Sequence, residues 1–219
     1  MERWATFDCY GTLVDWNAGL GAELARLFGD ERRDELLAAY HALEPVIERD
    51  GSLAYREVLV RTLVGIADGA GLGLPEGERD ALGRSLPSWP VFPEVPAALD
   101  EARARGWKLA ILSNTDRDFI EASRRAIGVP FELAIVAGEI GSYKPAHGHW
   151  EAFREQTGTD PRGHVHVGAS HFHDVVPALE LGIPVAWINR LGESSEPQAT
   201  RELADLGGLP DTLDELVAA

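Results

Sequence analysis

The sequence has a single cysteine, Cys9, so an internal disulfide is ruled out. It sits between Asp8 and Tyr10 on an expected buried strand, where it reads as a small apolar core residue. Positive charge is also scarce: 20 Lys and Arg stand against 36 Asp and Glu, for a formal net charge of −16. Nucleic acid and anionic membrane surfaces both require a basic face and are excluded as partners. An anionic small-molecule substrate would need a locally positive pocket. No apolar run approaches the roughly 20 residues of a membrane span, and none of signal-peptide length opens the chain. Internal repeats and low-complexity segments are likewise missing. The expectation is a cytoplasmic enzyme.

What is present is ordinary globular material of 219 residues, 45% hydrophobic and 26% charged, enough for one domain with a large insertion or two modest domains. Trp4 to Phe7 read as a short buried strand, with Asp8 at its carboxyl end and Gly11 permitting a sharp turn. Ligands of open α/β sheets bind at the carboxyl ends of strands, which makes Asp8 the leading candidate nucleophile.

The period then changes to helical. Leu20, Leu24, Leu27 and Phe28 form one series and Leu36, Leu37, Tyr40, Leu43 and Ile47 a second, with Pro45 as a bend or boundary. Leu59, Leu63 and Ile66 make a third, and a short fourth helix is expected from Glu76 to Leu86. These apolar positions suit either a core or a homodimer face, and periodicity does not separate the two. Pro87, Pro90, Pro93 and Pro96 mark a rigid return. From Val91 onward strands at Lys108–Leu112, Leu133–Val136, His164–Val167 and Pro184–Ile188 alternate with helices, and Leu213 to Val217 looks like a closing helix. With the first strand they predict an α/β fold with a parallel five-stranded sheet flanked by helices. The division is a core of residues 1–15 and 91–219, with 16–90 inserted.

Polar groups recur at the expected strand ends: Thr12 after the first, Leu112-Ser113-Asn114-Thr115 after the second, then Tyr143-Lys144-Pro145, and Val167-Gly168-Ala169-Ser170 running to Asp174. Ser113, Asn114 and Thr12 can orient a substrate or nucleophile, or simply cap local turns. Lys144 near Asp8 would favour the ionised carboxylate and lower its pKa. Asp174 also sits where a helix N-cap would. His164, His166 and His173 read as structural.

Together with Asp8-Cys9-Tyr10-Gly11-Thr12-Leu13, these stretches resemble, in order, the four motifs of the haloacid dehalogenase superfamily. The resemblance spans nearly the whole chain. It implies a Rossmann-like core and makes residues 16–90 a helical cap over the crevice that helps select substrate. Family members that hydrolyse phosphate esters carry a second acid two residues after the nucleophile, and hold magnesium with acids of a Gly-Asp fourth motif. Here those positions are Tyr10 and Ala169. A phosphoryl group needs a proton for its leaving alkoxide and a cation for its oxygens, whereas halide leaves unprotonated. The branch that the chain resembles is the (S)-2-haloacid dehalogenases, which implies a metal-free and cofactor-free hydrolysis through an ester on Asp8.

In that reading Asp8, Thr12, Ser113, Lys144 and Asp174 are catalytic, with Asp174 the base for ester hydrolysis. Tyr10, His41, Asn114, Trp150, Ser170 and His171 contact substrate, His171 also helping Asp174. Departures are visible: His41 stands where an anion-holding cap arginine is usual, Trp150 where Tyr is usual, and Ala169-Ser170-His171 where Ser-Ser-Asn is common. They point to altered specificity on retained chemistry. Two alternatives stay open, a phosphatase using Mg2+ on a small phosphate ester and a non-catalytic binder of small acids.

Overall fold

The computed structural model describes residues 2–49, 51 and 53–217. Its centre is a parallel sheet in the order β3-β2-β1-β4-β5-β6. The strands are β1 (Arg3–Phe7), β2 (Trp107–Ser113), β3 (Leu133–Val136), β4 (His164–Gly168), β5 (Val185–Ile188) and β6 (Arg201–Leu203). Six strands replace the expected five. The addition, β6, is a three-residue edge strand with two exposed residues, Arg201 and Glu202, and so carries no apolar run to betray it.

Side-chain alternation distributes two apolar layers over the sheet. Ala5, Phe7, Leu109, Ile111, Val165 and Val167 face one way, and join the core that includes α5 (Val95–Ala104), α6 (Arg117–Ile127) and α10 (Leu209–Leu216). Trp4, Ala110, Leu112 and Ile135 face the other, under Trp150 and Phe153 of α8 (Gly148–Thr157) and Ala178 of α9 (Val176–Glu180). Each large side chain buried here contributes roughly 1.5–3 kcal/mol. The short α7 (Ala137–Ile140) follows β3.

Between β1 and β2 stand α1 (Trp16–Phe28), α2 (Arg33–Glu48), α3 (Tyr55–Gly69) and α4 (Ala81–Ser85), which pack on one another. Asp15 caps α1 by accepting from the Ala18 N–H at 3.0 Å. Pro45 marks no boundary: it lies in the last turn of α2, which runs on to Glu48. The fourth helix is shorter than expected, Ala81–Ser85 plus a 3-10 turn at Leu86–Ser88. The two connections to the sheet run side by side, Asp15 N–H donating to Pro90 O at 2.8 Å and Phe92 N–H to Leu13 O at 3.1 Å.

Strands β1, β2 and β4 end nearly level, since Phe7 pairs with both Ile111 and Val167. That register gathers Asp8, Asn114 and Ala169 at one rim. Among the described residues, no helix is long and apolar enough to cross a membrane.

Candidate active site

Asp8 follows β1 and is buried, its backbone N–H still donating to Val167 O at 2.9 Å. Gly11, at φ 93°, turns the chain back so that Thr12 Oγ1 donates to Asp8 Oδ2 at 2.9 Å. The same oxygen accepts the Ala169 N–H at 2.9 Å, which ties the first loop to the end of β4. Lys144 enters from the loop after α7, with Nζ 2.9 Å from Asp8 Oδ1 and 2.7 Å from Asp174 Oδ1. Asn114 fixes that loop reciprocally, accepting the Lys144 N–H at 2.7 Å and donating to its carbonyl at 3.0 Å.

Asp174 is fully buried and collects a second and third donor, the Ser170 N–H at 3.1 Å and His166 Nε2 at 3.3 Å. It does not cap a helix. Ser170 takes that part by accepting the His173 N–H, and Asp174 lies within a π-turn, His171–Val175, that precedes α9. Close approach is required here: a Cβ on Gly168 would stand 2.4 Å from Asp174 Cγ, so any side chain at 168 drives the carboxylate off the lysine.

Burial pushes the Asp8 carboxyl up, Lys144 opposes it, and the neighbouring Asp174 charge adds to the rise. Lys144 lowers it as expected, but burial outweighs the lysine and the net direction is upward. Burial also opposes the charge of Asp174, but Lys144 and His166 outweigh it and hold that carboxyl well below the usual range. Burial alone would lower Lys144; the two carboxylates reverse this and keep the ammonium protonated. One cation thus serves two anions, and Asp8, with the smaller share, is the more basic and the more nucleophilic oxygen.

The other expected residues divide. Tyr10, His41 and Ser170 line a cavity of about 510 Å³ beside the Asp8 loop, together with Trp16, Phe92 and Arg190. The Tyr10 hydroxyl is turned inward to Ser123 at 3.1 Å, so it offers no proton to the crevice. His41 shares a hydrogen bond with Asn17 Oδ1 at 2.8 Å, and burial lowers its pKa, which makes it a neutral donor and not a cationic anion-holder. Ser113 closes β2 with a buried hydroxyl that has no partner among the described residues.

Trp150 and His171 are corrected. Trp150 is buried on the opposite side of the sheet end, its ring 5.1 Å from that of His166, because it belongs to the core-facing stripe of α8. His171 turns away to the carbonyl of Pro197 at 2.8 Å and meets the Trp187 ring edge to face at 5.2 Å.

Three residues escaped sequence reasoning. Arg190 follows β5, donates to Thr12 O at 2.9 Å, pairs with Glu94 at 2.7 Å and so braces the nucleophile's loop. Glu44 and Glu48 sit on α2, one and two turns beyond Tyr40, on its buried stripe. Tyr55 donates to Glu44 at 3.2 Å, and Asn114 Nδ2 lies 3.5 Å from Glu48 Oε2. Their spacing from Tyr40 (i+4, i+8) was the available signal. Burial, reinforced by Glu44, pushes Glu48 up to about 9, and burial pushes Glu44 up to about 7.

Glu48 is therefore protonated in the native state at neutral pH and ionised in the unfolded chain. Folding takes up a proton between pH 4.5 and about 9, so stability falls as pH rises through that window. Glu48→Gln, a neutral isostere, is expected to be more stable than wild type at pH 8 by about 1–2 kcal/mol, or roughly 2–8 °C in Tm. The gain should fade towards pH 5; an equal difference at both pH values would contradict the assignment.

Among the described residues, no cluster of three or more His, Cys, Asp or Glu is arranged to hold a metal ion. The donor set does not fit the magnesium of phosphatase relatives: the Lys144 ammonium lies between the two carboxylates, and Ala169 supplies a methyl where an oxygen ligand would be needed.

A carboxylate at the end of the central parallel strand, bridged by a buried lysine to a second carboxylate, defines an α/β hydrolase of the aspartate-nucleophile kind. Residues 3–182 match the haloacid dehalogenase-like hydrolases, and the chain belongs to that family. It is 29% identical to an (S)-2-haloacid dehalogenase of Pseudomonas putida over 224 residues, 94% of this chain and 96% of that one. It is 30% identical to a phosphoserine phosphatase of Thermus thermophilus over 154 residues, covering 68% of this chain and 60% of that one. The fold is that of the L-2-haloacid dehalogenase of Xanthobacter autotrophicus with chloropropionic acid covalently bound: TM-score 0.86 at 20% identity, over 97% and 98% of the two chains.

Proposed function

We propose that this chain hydrolyses the carbon–halogen bond of small 2-haloalkanoic acids through an ester on Asp8. The observation that carries this reading is the Lys144 bridge between Asp8 and Asp174, in a site without a proton donor two residues after the nucleophile. An Asp8 oxygen attacks the carbon bearing the halogen; the carbon–halogen bond breaks, and halide departs with the bonding pair. Water then adds to the Asp8 carboxyl carbon and gives a proton to Asp174. Collapse of the adduct expels the alkoxide oxygen, which takes the proton left on the Asp8 carboxyl to give the 2-hydroxy acid, and Asp174 gives its proton to solvent, so both carboxylates are restored. Lys144 holds both carboxylates, Thr12 orients Asp8, and Asn114 holds Lys144.

Residues 16–90 act as the cap in this reading, and Ser170 and His41 border the substrate cavity of about 510 Å³. No metal or cofactor is required, because halide needs neither protonation nor a Lewis acid to leave. A cytoplasmic location suits the lone, buried Cys9.

The test is halide release from the enantiomers of 2-chloro- and 2-bromopropionate in buffer containing a chelator. Release from the (S)-enantiomers, with inverted 2-hydroxypropionate as product, is the expected result. Turnover of a phosphate ester that requires magnesium, with no halide released, would overturn the proposal in favour of a phosphatase.

A further inference from the structure

Beneath the Asp8–Lys144–Asp174 group, a line of buried polar side chains runs through the sheet. His164 and His166 are two residues apart on β4 and share a face, and Thr6 of β1 pairs in register with His166. Thr6 Oγ1 lies 2.7 Å from His164 Nε2 and 2.9 Å from His166 Nδ1, while His166 Nε2 lies 3.3 Å from Asp174 Oδ1. Helix α8 covers the line, with Trp150 against the His166 ring and Phe153 against that of His164 at 4.7 Å. An apolar core would fill this space without desolvating four polar groups.

The direction of each hydrogen bond follows by elimination. Burial lowers both imidazoles, His164 to about 3, so each ring is neutral and has one N–H. Asp174 is ionised and only accepts, so the His166 proton is on Nε2 and its Nδ1 is an acceptor. The Thr6 hydroxyl therefore donates to His166 Nδ1. With its one proton committed, Thr6 accepts from His164 Nε2–H. Every donor in the line points towards Asp174.

We propose that Thr6 and His166 are positioning residues for Asp174. By fixing His166 as an Nε2–H donor, the line and the Lys144 ammonium together occupy Oδ1. Oδ2, held among the described residues only by the Ser170 N–H, is left to receive the proton of the attacking water. This rests on the reading of Asp174 as the base of ester hydrolysis.

The directions are tested first, by 15N-resolved imidazole spectra of the full chain at pH 7. Neutral Nε2–H tautomers at both His164 and His166 are expected, and an Nδ1–H tautomer at His166 would overturn the line whether or not the protein releases halide. Wild type failing to release halide would instead sink the proposed function and leave the tautomers standing.

The positioning role is tested with His166→Phe, which removes the donor, and His166→Gln, which keeps one. With 2-chloropropionate, His166→Phe is expected to lower kcat by roughly 10²-fold with KM changed less than about threefold. The mass of the ester on Asp8 should build up in enzyme quenched during turnover, because forming the ester does not use Asp174. Gln should recover activity to within about tenfold of wild type. Equal slowing of ester formation and hydrolysis, or Gln no better than Phe, would refute the role. Should the Phe variant not fold, Thr6→Val keeps the shape and breaks the line; a shifted His166 Nδ1 resonance, now without its donor, and ester accumulation are expected, and a wild-type spectrum and rate would overturn it.

Discussion

An Asp8→Asn variant is expected to release halide at least about 10⁴-fold more slowly than wild type, while folding as well or better. The amide keeps the volume, its oxygen can still accept from Lys144, and its NH2 can donate to the Thr12 hydroxyl in place of accepting from it, so the loop around Gly11 has no reason to move. What disappears is the negative oxygen that forms the ester. The variant should also be at least as stable as wild type near pH 7, because burial and Asp174 disfavour the Asp8 charge and Lys144 retains Asp174 as its partner. A decoupling of stability from activity separates a nucleophile from a structural acid. Full activity in Asp8→Asn would remove Asp8 from the mechanism. A single wild-type turnover in heavy-oxygen water gives the complementary result: the label should enter Asp8 first, because water attacks the enzyme's carboxyl carbon and not the substrate. Label passing directly into the hydroxy acid would rule out the ester.

The three ionised groups were legible in the sequence for a physical reason. Each follows a short apolar run or a glycine turn, and a parallel sheet brings all such ends to one rim. Asp8, Thr12, Asn114, Lys144 and Asp174 are indeed within one hydrogen-bonded network. Trp150 was misplaced because helical spacing fixes a stripe but not the side of the sheet that the stripe meets. His171 was misplaced because the π-turn rotates it outward as it turns Asp174 inward. The strand β6 was missed because its ladder partner, β5, supplies the order that its own side chains do not.

Glu44 and Glu48 were hidden by the commonest rule of sequence reading, that acids on helices face water. They interrupt the apolar stripe that passes through Leu36 and Tyr40, and only packing against Tyr55 and Asn114 shows them buried. The protonated state of Glu48 also explains how α2 can approach a site that already holds two carboxylates without bringing a third full charge against them.

Lys144→Met should be the most damaging single change to stability. The ammonium is 2% exposed and is the cation of two buried carboxylates, 2.9 and 2.7 Å away. Removing one partner of a buried ion pair leaves uncompensated charge and is destabilising by about 3–5 kcal/mol. For a chain of this size that corresponds to a fall in Tm of roughly 6–20 °C. The loss has a diagnostic pH dependence. Without the lysine, both carboxyls have native pKa values above their unfolded ones, so the native state binds more protons and stability is lost as pH rises. Lys144→Met should therefore be much closer to wild type at pH 4.5 than at pH 8, as read by thermal unfolding at the two values. Adding Asp174→Asn to Lys144→Met removes one of the two stranded charges and should recover part of the stability, although neither variant can be active. A Lys144→Met protein as stable as wild type at pH 8, or a double variant less stable than Lys144→Met, would show that the two carboxylates do not depend on this one cation.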